Sequence, residues 1–170
     1  MSSLDHATSA FVSETLPHPR WFSIPLGAVS MTANYGILWY VLAALPWLSG
    51  ADHGLAVFIY VSAAVLATEL ITNVVKRLVG RSRPAQAAEG GHIPLPISPS
   101  FPSAHASMGV VGALTLSSIY PAWAPFLVLL VAVLVFSRVY LRVHYIADVV
   151  AGLALGAVLG VPYVLLINVT

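Results

Sequence analysis

From Ser103 to Ser137 the chain carries no Asp, Glu, Lys or Arg, and none occurs between Arg20 and Asp52 either. A soluble domain charges roughly a quarter of its residues. Here seven Lys and Arg and six Asp and Glu serve 170 residues, 59% of which are hydrophobic. That pattern excludes a soluble globular domain, a disordered chain, and a nucleic-acid binder with a broad basic face. The absence of Cys excludes disulfides, thiolate chemistry and Cys-ligated zinc. What remains is an all-α, polytopic transmembrane helical bundle, expected as a single domain over 1–170.

A bilayer core about 30 Å thick needs roughly 20 apolar helical residues to cross it. Five spans are expected on that measure, near 24–48, 55–79, 103–119, 123–141 and 145–168. Pro25 suits the start of the first and Pro46 its end. Pro121 and Pro125 divide the long uncharged run in two. The 80–102 segment holds Pro84, Pro94, Pro96, Pro99 and Pro102 and reads as a loop. Residues 1–20 are too short to cross, and Met1–Ala10 lacks the basic residue of a secretory signal. Two readings stand for them. One is an amphipathic segment on the membrane surface, with Leu4, Phe11, Val12 and Leu16 as its apolar residues. The other is an unattached tail.

Five alternating spans place the start of the first, the 80–102 loop and the 138–145 turn on one face. Every Lys and Arg then falls there: Arg20, Lys76, Arg77, Arg81, Arg83, Arg138 and Arg142. The other face has Asp52 and His53. Leaving aside Lys76, Arg83 and Arg138 as candidate site residues, four basic residues against none put the chemically equipped face toward the cytoplasm.

Three clusters meet on that face: Lys76 to Arg83-Pro84, Pro102-Ser103-Ala104-His105, and Ser137-Arg138 through His144 to Asp148. Each alone has a plain reading, as snorkelling bases, a helix start, or a hydrogen-bonded His-Asp pair. Their convergence in a chain almost free of charge points further. Lys76, Arg83 and Arg138 supply three cations. Ser103 adds a hydroxyl, and the first turn of the third span offers free N–H groups. Such a set suits a phosphoryl dianion. Asp148, one turn beyond His144, can accept a ring N–H and leave the other nitrogen as nucleophile. His105 is then free to protonate a leaving oxygen. A metal site is the competing reading of His105, His144 and Asp148. Three nearby cations would repel a divalent ion, and no carboxylate-rich set is present to hold one.

These blocks resemble the signature of the type 2 phosphatidic acid phosphatase superfamily of integral-membrane lipid phosphatases, Lys-x6-Arg-Pro, Pro-Ser-Gly-His and Ser-Arg-x5-His-x3-Asp. The spacings match within every block, over a resemblance that covers roughly 24–168. Ala104 stands where the family usually has Gly, which is harmless in a helix's first turn. Members often carry six spans, so the segment before Arg20 would replace the first. The resemblance implies a metal-independent, cofactor-free phosphatase of the cell membrane. His144, oriented by Asp148, would form a phosphohistidine while His105 protonates the departing group. Lys76, Arg83, Ser103, Arg138 and the amides near Ala104 would hold the phosphoryl oxygens.

A lipid phosphate would explain why the enzyme is in a membrane. Candidates are polyprenyl diphosphates, phosphatidic acid, phosphatidylglycerophosphate and polyprenyl-linked sugar phosphates. The compact chain is most similar to small prokaryotic members acting on polyprenyl lipids, decaprenylphosphoryl-5-phosphoribose phosphatases among them. A cytoplasmic active face suits the sugar phosphate better than diphosphate recycling. The non-enzyme alternative is an anion-binding transporter subunit, which would place its site nearer the midplane.

Glu69, Asn73 and Lys76 share one helix stripe. Glu69 is read first as a hydrogen-bonded or protonated buried side chain, and second as part of a substrate groove or proton path. Gly152, Gly156 and Gly160 recur at every fourth position and permit close helix contact, expected within the chain and leaving the oligomeric state open. Trp21, Trp39, Trp47 and Trp123 fit interfacial anchoring. His92 is expected in the loop.

Overall fold

The computed structural model describes residues 3–84 and 97–167. The expectations for His92, Pro94 and Pro96 lie outside them, as do those for the side chains of Leu4 and Val12. The described residues form seven α-helices: α1 Ser3–Thr15, α2 Arg20–Thr32, α3 Ile37–Leu48, α4 Gly54–Val79, α5 Ala104–Ile119, α6 Ala124–Tyr140 and α7 Ile146–Ile167. No strand occurs among them.

Helix α4, helix α6 with the turn before it, and helix α7 are long and apolar enough to cross a bilayer. Their bounds agree closely with three of the expected spans. Helix α5 has 16 residues, about 24 Å at 1.5 Å per residue, which is short of the hydrocarbon thickness. The expected first span is not one helix. It is the pair α2 and α3, bent by 57° across the Asn34–Gly36 turn. Among the described residues the bundle therefore has three to four candidate spans. The bend is local: Tyr35 and Gly36 have φ of 55° and 76°. Gly36 is needed twice over, because a Cβ there would also fall 2.6 Å from Val65 Cγ1. Pro25 lies inside α2 instead of opening a helix.

Helix α5 is the central rod. Its face toward α7 meets Gly152, Gly156 and Gly160; a Cβ on Gly152 would lie 2.5 Å from the Ser103 carbonyl and one on Gly156 2.6 Å from that of Ser107. The glycine stripe thus serves contact within the chain, as expected. On its other side α5 packs through Met108 and Leu116 into a core with Trp39, Val61, Val65, Leu127 and Leu134. Trp39 is 1% exposed, so it fills the core beside Gly109 and Gly112 instead of anchoring at an interface. Large apolar side chains such as Ile59, Leu66, Leu70, Val128, Leu129 and Leu165 point outward, as a lipid-facing surface requires.

Helix α1 replaces the unattached tail with a docked element. The first amides of any helix lack intrahelical partners. At α7 two of them are met from α1: Ile146 N–H donates to Ser9 Oγ at 3.0 Å and Ala147 N–H to Asp5 Oδ1 at 3.1 Å. The linker after α1 is held too. His18 stacks on Tyr140 at 4.3 Å, and the Tyr140 hydroxyl donates to the Pro17 carbonyl at 2.7 Å.

Candidate active site

The three sequence clusters come together. Lys76, Arg83, Ala104, His105, Arg138 and His144 line one cavity of about 500 Å³ at the ends of α4, α5, α6 and α7. Each is delivered by a local device. The Gly80 amide closes α4 on the Lys76 carbonyl at 2.9 Å, just before the chain turns into the loop. The loop is pinned where it leaves and returns: Ser100 N–H donates to the Arg81 carbonyl at 2.8 Å and Ser100 Oγ to the Ser82 carbonyl at 2.9 Å. Between α6 and α7, the Arg138 carbonyl accepts the amides of both Val143 and His144 at 3.0 Å. That tight turn places His144 beside Arg138. Ser103 N–H donates to the Asp148 carbonyl at 2.9 Å, tying the start of α5 to α7.

Asp148 is fully buried and holds three donors: His144 Nδ1 at 3.3 Å, the Tyr145 amide at 3.0 Å, and an Arg81 Nη1 ion pair. A carboxylate so held takes the hydrogen of Nδ1, leaving the Nε2 lone pair of His144 available. Nε2 lies 3.3 Å from Arg83 Nη1 and accepts from it. Burial, reinforced by Arg138, Arg83 and Lys76, holds His144 well below the usual imidazole range. The ring is therefore neutral near pH 7.

The cations are braced differently. Arg83 is committed to the Ser98 carbonyl at 2.9 Å, the Val143 carbonyl at 2.9 Å and Ser98 Oγ at 3.2 Å. Lys76 Nζ reaches the Pro99 carbonyl at 2.8 Å and the Ser100 carbonyl at 3.4 Å, so one of its three hydrogens is unassigned. Arg138 donates through Nη1 to Ser30 Oγ. Its Nε, like the hydroxyl of Ser103, is buried without a hydrogen-bond partner among the described residues. Buried donors are normally satisfied. Ser62 Oγ and Thr72 Oγ1 are the other buried side-chain atoms without a partner among the described residues, and of the four only Arg138 belongs to a residue that lines the cavity.

His105 Nε2 lies 3.0 Å from the Ser30 carbonyl. A carbonyl can only accept, so Nε2 carries hydrogen and Nδ1 is the nitrogen whose proton can come and go. Ser30 thus touches both His105 and Arg138, and the composition of its span gives no sign of that role. On sequence Arg81 is one of the basic residues gathered on one face, within the Lys76–Arg83 block. Instead it is buried between Asp148 and Asp5, over the Tyr145 ring at 4.0 Å, and drops out of the count of basic residues facing one side. The signal was present in the charge balance, because a buried cation in a charge-poor chain needs a carboxylate. Glu69 and Asn73 line the cavity, and Glu69 has no hydrogen-bond partner among the described residues, which leaves the protonated side chain and the groove as its readings. No group of three His, Asp or Glu side chains able to hold a metal occurs among the described residues.

A match to the PAP2 superfamily spans residues 56–169. Among curated proteins the chain is 34% identical over 132 residues to decaprenylphosphoryl-5-phosphoribose phosphatase of Mycobacterium tuberculosis, covering 78% of this chain and 73% of that one. It is 30% identical over 136 residues to undecaprenyl-diphosphatase of Sulfolobus acidocaldarius, covering 77% and 65%. Among solved structures, a PAP2-type phosphatidylglycerolphosphate phosphatase from Bacillus subtilis superposes with a TM-score of 0.71 at 21% identity, over 95% of this chain and 83% of that one. Aquifex aeolicus LpxE gives 0.71 at 17%, over 95% of each.

Proposed function

Because the chain belongs to the PAP2 superfamily of membrane phosphatases, we propose that its cavity hydrolyses a phosphomonoester or diphosphate of a polyprenyl-linked lipid through a phosphohistidine. The observation that carries this is the orientation of His144, with Nδ1 toward Asp148 and Nε2 toward Arg83 inside a cationic cavity. Nε2 attacks phosphorus as the bond to the leaving oxygen breaks, and His105 gives that oxygen a proton. Water then attacks phosphorus as the bond to His144 Nε2 breaks, its proton goes to His105, and inorganic phosphate leaves with His144 regenerated. Charge moves onto the phosphoryl oxygens in both steps. On this reading Arg138 Nε, the Ser103 hydroxyl, Lys76, Arg83 and the amides at Ala104 and His105 would meet it. The whole chain acts as one domain.

The same reading makes the reaction independent of metal and of any cofactor. It places the site at the cytoplasmic face of the cell membrane, with Arg20, Arg77 and Arg142 as the basic residues on that side. Decaprenylphosphoryl-5-phosphoribose is the favoured substrate, with undecaprenyl diphosphate, phosphatidylglycerophosphate and phosphatidic acid as alternatives. Purified protein in lipid discs, given each lipid phosphate in turn, tests the reading. Phosphate release that persists with a chelator is expected, together with an acid-labile phosphoprotein lost in His144→Ala. Turnover that survives this substitution overturns the mechanism.

A further inference from the structure

The cavity has two chemically distinct ends. Lys76, Arg83 and Arg138 stand with the histidines at one. Seven residues back along α4 from Lys76, about 10 Å at 1.5 Å per residue, Glu69 lines the same cavity, with Asn73 between them. Asn34 joins them from the break between α2 and α3. None of these three side chains has a hydrogen-bond or ion-pair partner among the described residues. The mechanism above uses none of them.

A carboxyl and two carboxamides offer several acceptors and donors within one small volume. A plain isoprenoid placed against them would strip their water and return no hydrogen bond, which is unfavourable. A second phosphoryl group at that end would meet a carboxyl and no cation. A ring bearing neighbouring hydroxyls satisfies all three, since each hydroxyl both donates and accepts. The separation fits as well: a phosphoryl group held near Lys76 puts the unit next to it level with Asn73 and Glu69.

We propose that Asn34, Glu69 and Asn73 form a subsite for a hydroxyl-bearing, sugar-like unit that joins the cleaved phosphate to the lipid. The proposal rests on the phosphatase reading and assigns residues to the sugar unit of the substrate that reading favours. The subsite sets specificity through KM and takes no part in bond breaking.

Two substrates with the same polyprenyl tail test it on the full chain in lipid discs. One is the simple monophosphate. The other carries a phosphodiester-linked pentose with a terminal phosphate. The ratio of kcat/KM for the sugar-bearing over the simple substrate should exceed one. It should fall about tenfold, the equivalent of one lost hydrogen bond, in Glu69→Gln and in Asn73→Ala, mostly through KM. Asn34→Ala gives a third reading from a different helix should either α4 variant fail to fold. An unchanged ratio in the folded variants overturns the subsite and leaves the phosphatase reading standing. No phosphate release from any lipid phosphate by the wild-type protein overturns both.

Discussion

Arg81 Nη2 lies 2.5 Å from Asp5 Oδ2, and the two side chains are 5% and 11% exposed. Through its other nitrogen the same guanidinium holds Asp148. The first helix of the chain is therefore linked, by one buried cation, to the carboxylate that orients His144. Removing one member of a buried ion pair strands its partner, typically at about 3–5 kcal/mol. Arg81→Ala should accordingly lower thermal stability by that order and reduce turnover as well. Asp5→Asn, which leaves Arg81 its bond to Asp148, should have the same effects to a smaller degree. Wild-type stability in Arg81→Ala, followed by unfolding in detergent, would contradict the linkage.

Asp148→Asn is the sharper test of the histidine's orientation. An amide can offer N–H where the carboxylate only accepted, so the ring is free to present the wrong nitrogen. In a serine hydrolase the equivalent change costs about 10⁴-fold in kcat, and a loss of that order is expected here. Single-turnover phosphate release measures it. A loss under about tenfold would assign Asp148 to structure alone, by the same comparison.

Arg138→Ala should lower the rate by roughly 100- to 1,000-fold, as for loss of one preorganised oxyanion donor. The protein should remain folded, because the side-chain hydrogen bond lost among the described residues is the single one to Ser30 Oγ, worth roughly 1.5–3 kcal/mol. Near-normal phosphate release from the variant would remove Arg138 from the phosphoryl cradle.

The pH profile follows from the environment of His144. Its pKa lies well below 6.5, chiefly because it is buried and then because three cations surround it. The nucleophile must be neutral, and a lowered pKa keeps it so as pH falls through 6.5. The acid limb of kcat/KM attributable to the free enzyme should therefore sit below 6.5. Stability should also decline below that pH, because the unfolded imidazole takes up its proton first. An acid limb at or above 6.5 would mean that the ring is not so enclosed.

Gly152→Ala probes how the site is carried. The added methyl would stand 2.5 Å from the Ser103 carbonyl and 2.9 Å from Ala106 Cβ, and neither backbone nor Cβ can rotate aside. Overpacking of this kind costs about 1–3 kcal/mol. Here it also pushes the start of α5, with Ser103 and His105, away from α7. A lower melting temperature and a lower kcat are expected together; unchanged kcat would show that the cradle tolerates the shift.

Much of the site was readable because its parts are local. Lys76 with Arg83, Ser103 with His105, and Arg138 with His144 and Asp148 each sit within one short block whose spacing survives in the linear chain. The ends of α4 and α6 were readable for a similar reason, since their apolar runs are bounded by Gly54 and Gly80, and by Pro121 and Arg138. The α2–α3 break was not. Asn34-Tyr35-Gly36 interrupts an apolar stretch without adding charge, so hydropathy averages across it. Nor could Ser30 or Asp5 be read, because each reaches partners far along the chain. Trp39 was misplaced because aromatic residues favour both interfaces and interiors, and only the glycine-lined face of α5 decides between them.

The 57° bend at Asn34–Gly36 leaves exposed Met31 and Tyr35, in place of an unbroken rod, along one side of the cavity. On the polyprenyl reading proposed above, a long isoprenoid would rest against that side while its polar end reaches the histidines, with no work needed to lift the tail out of hydrocarbon. Supply of substrate would then depend on lateral drift within the leaflet, and its fluidity would govern turnover more than the lipid's escape into water.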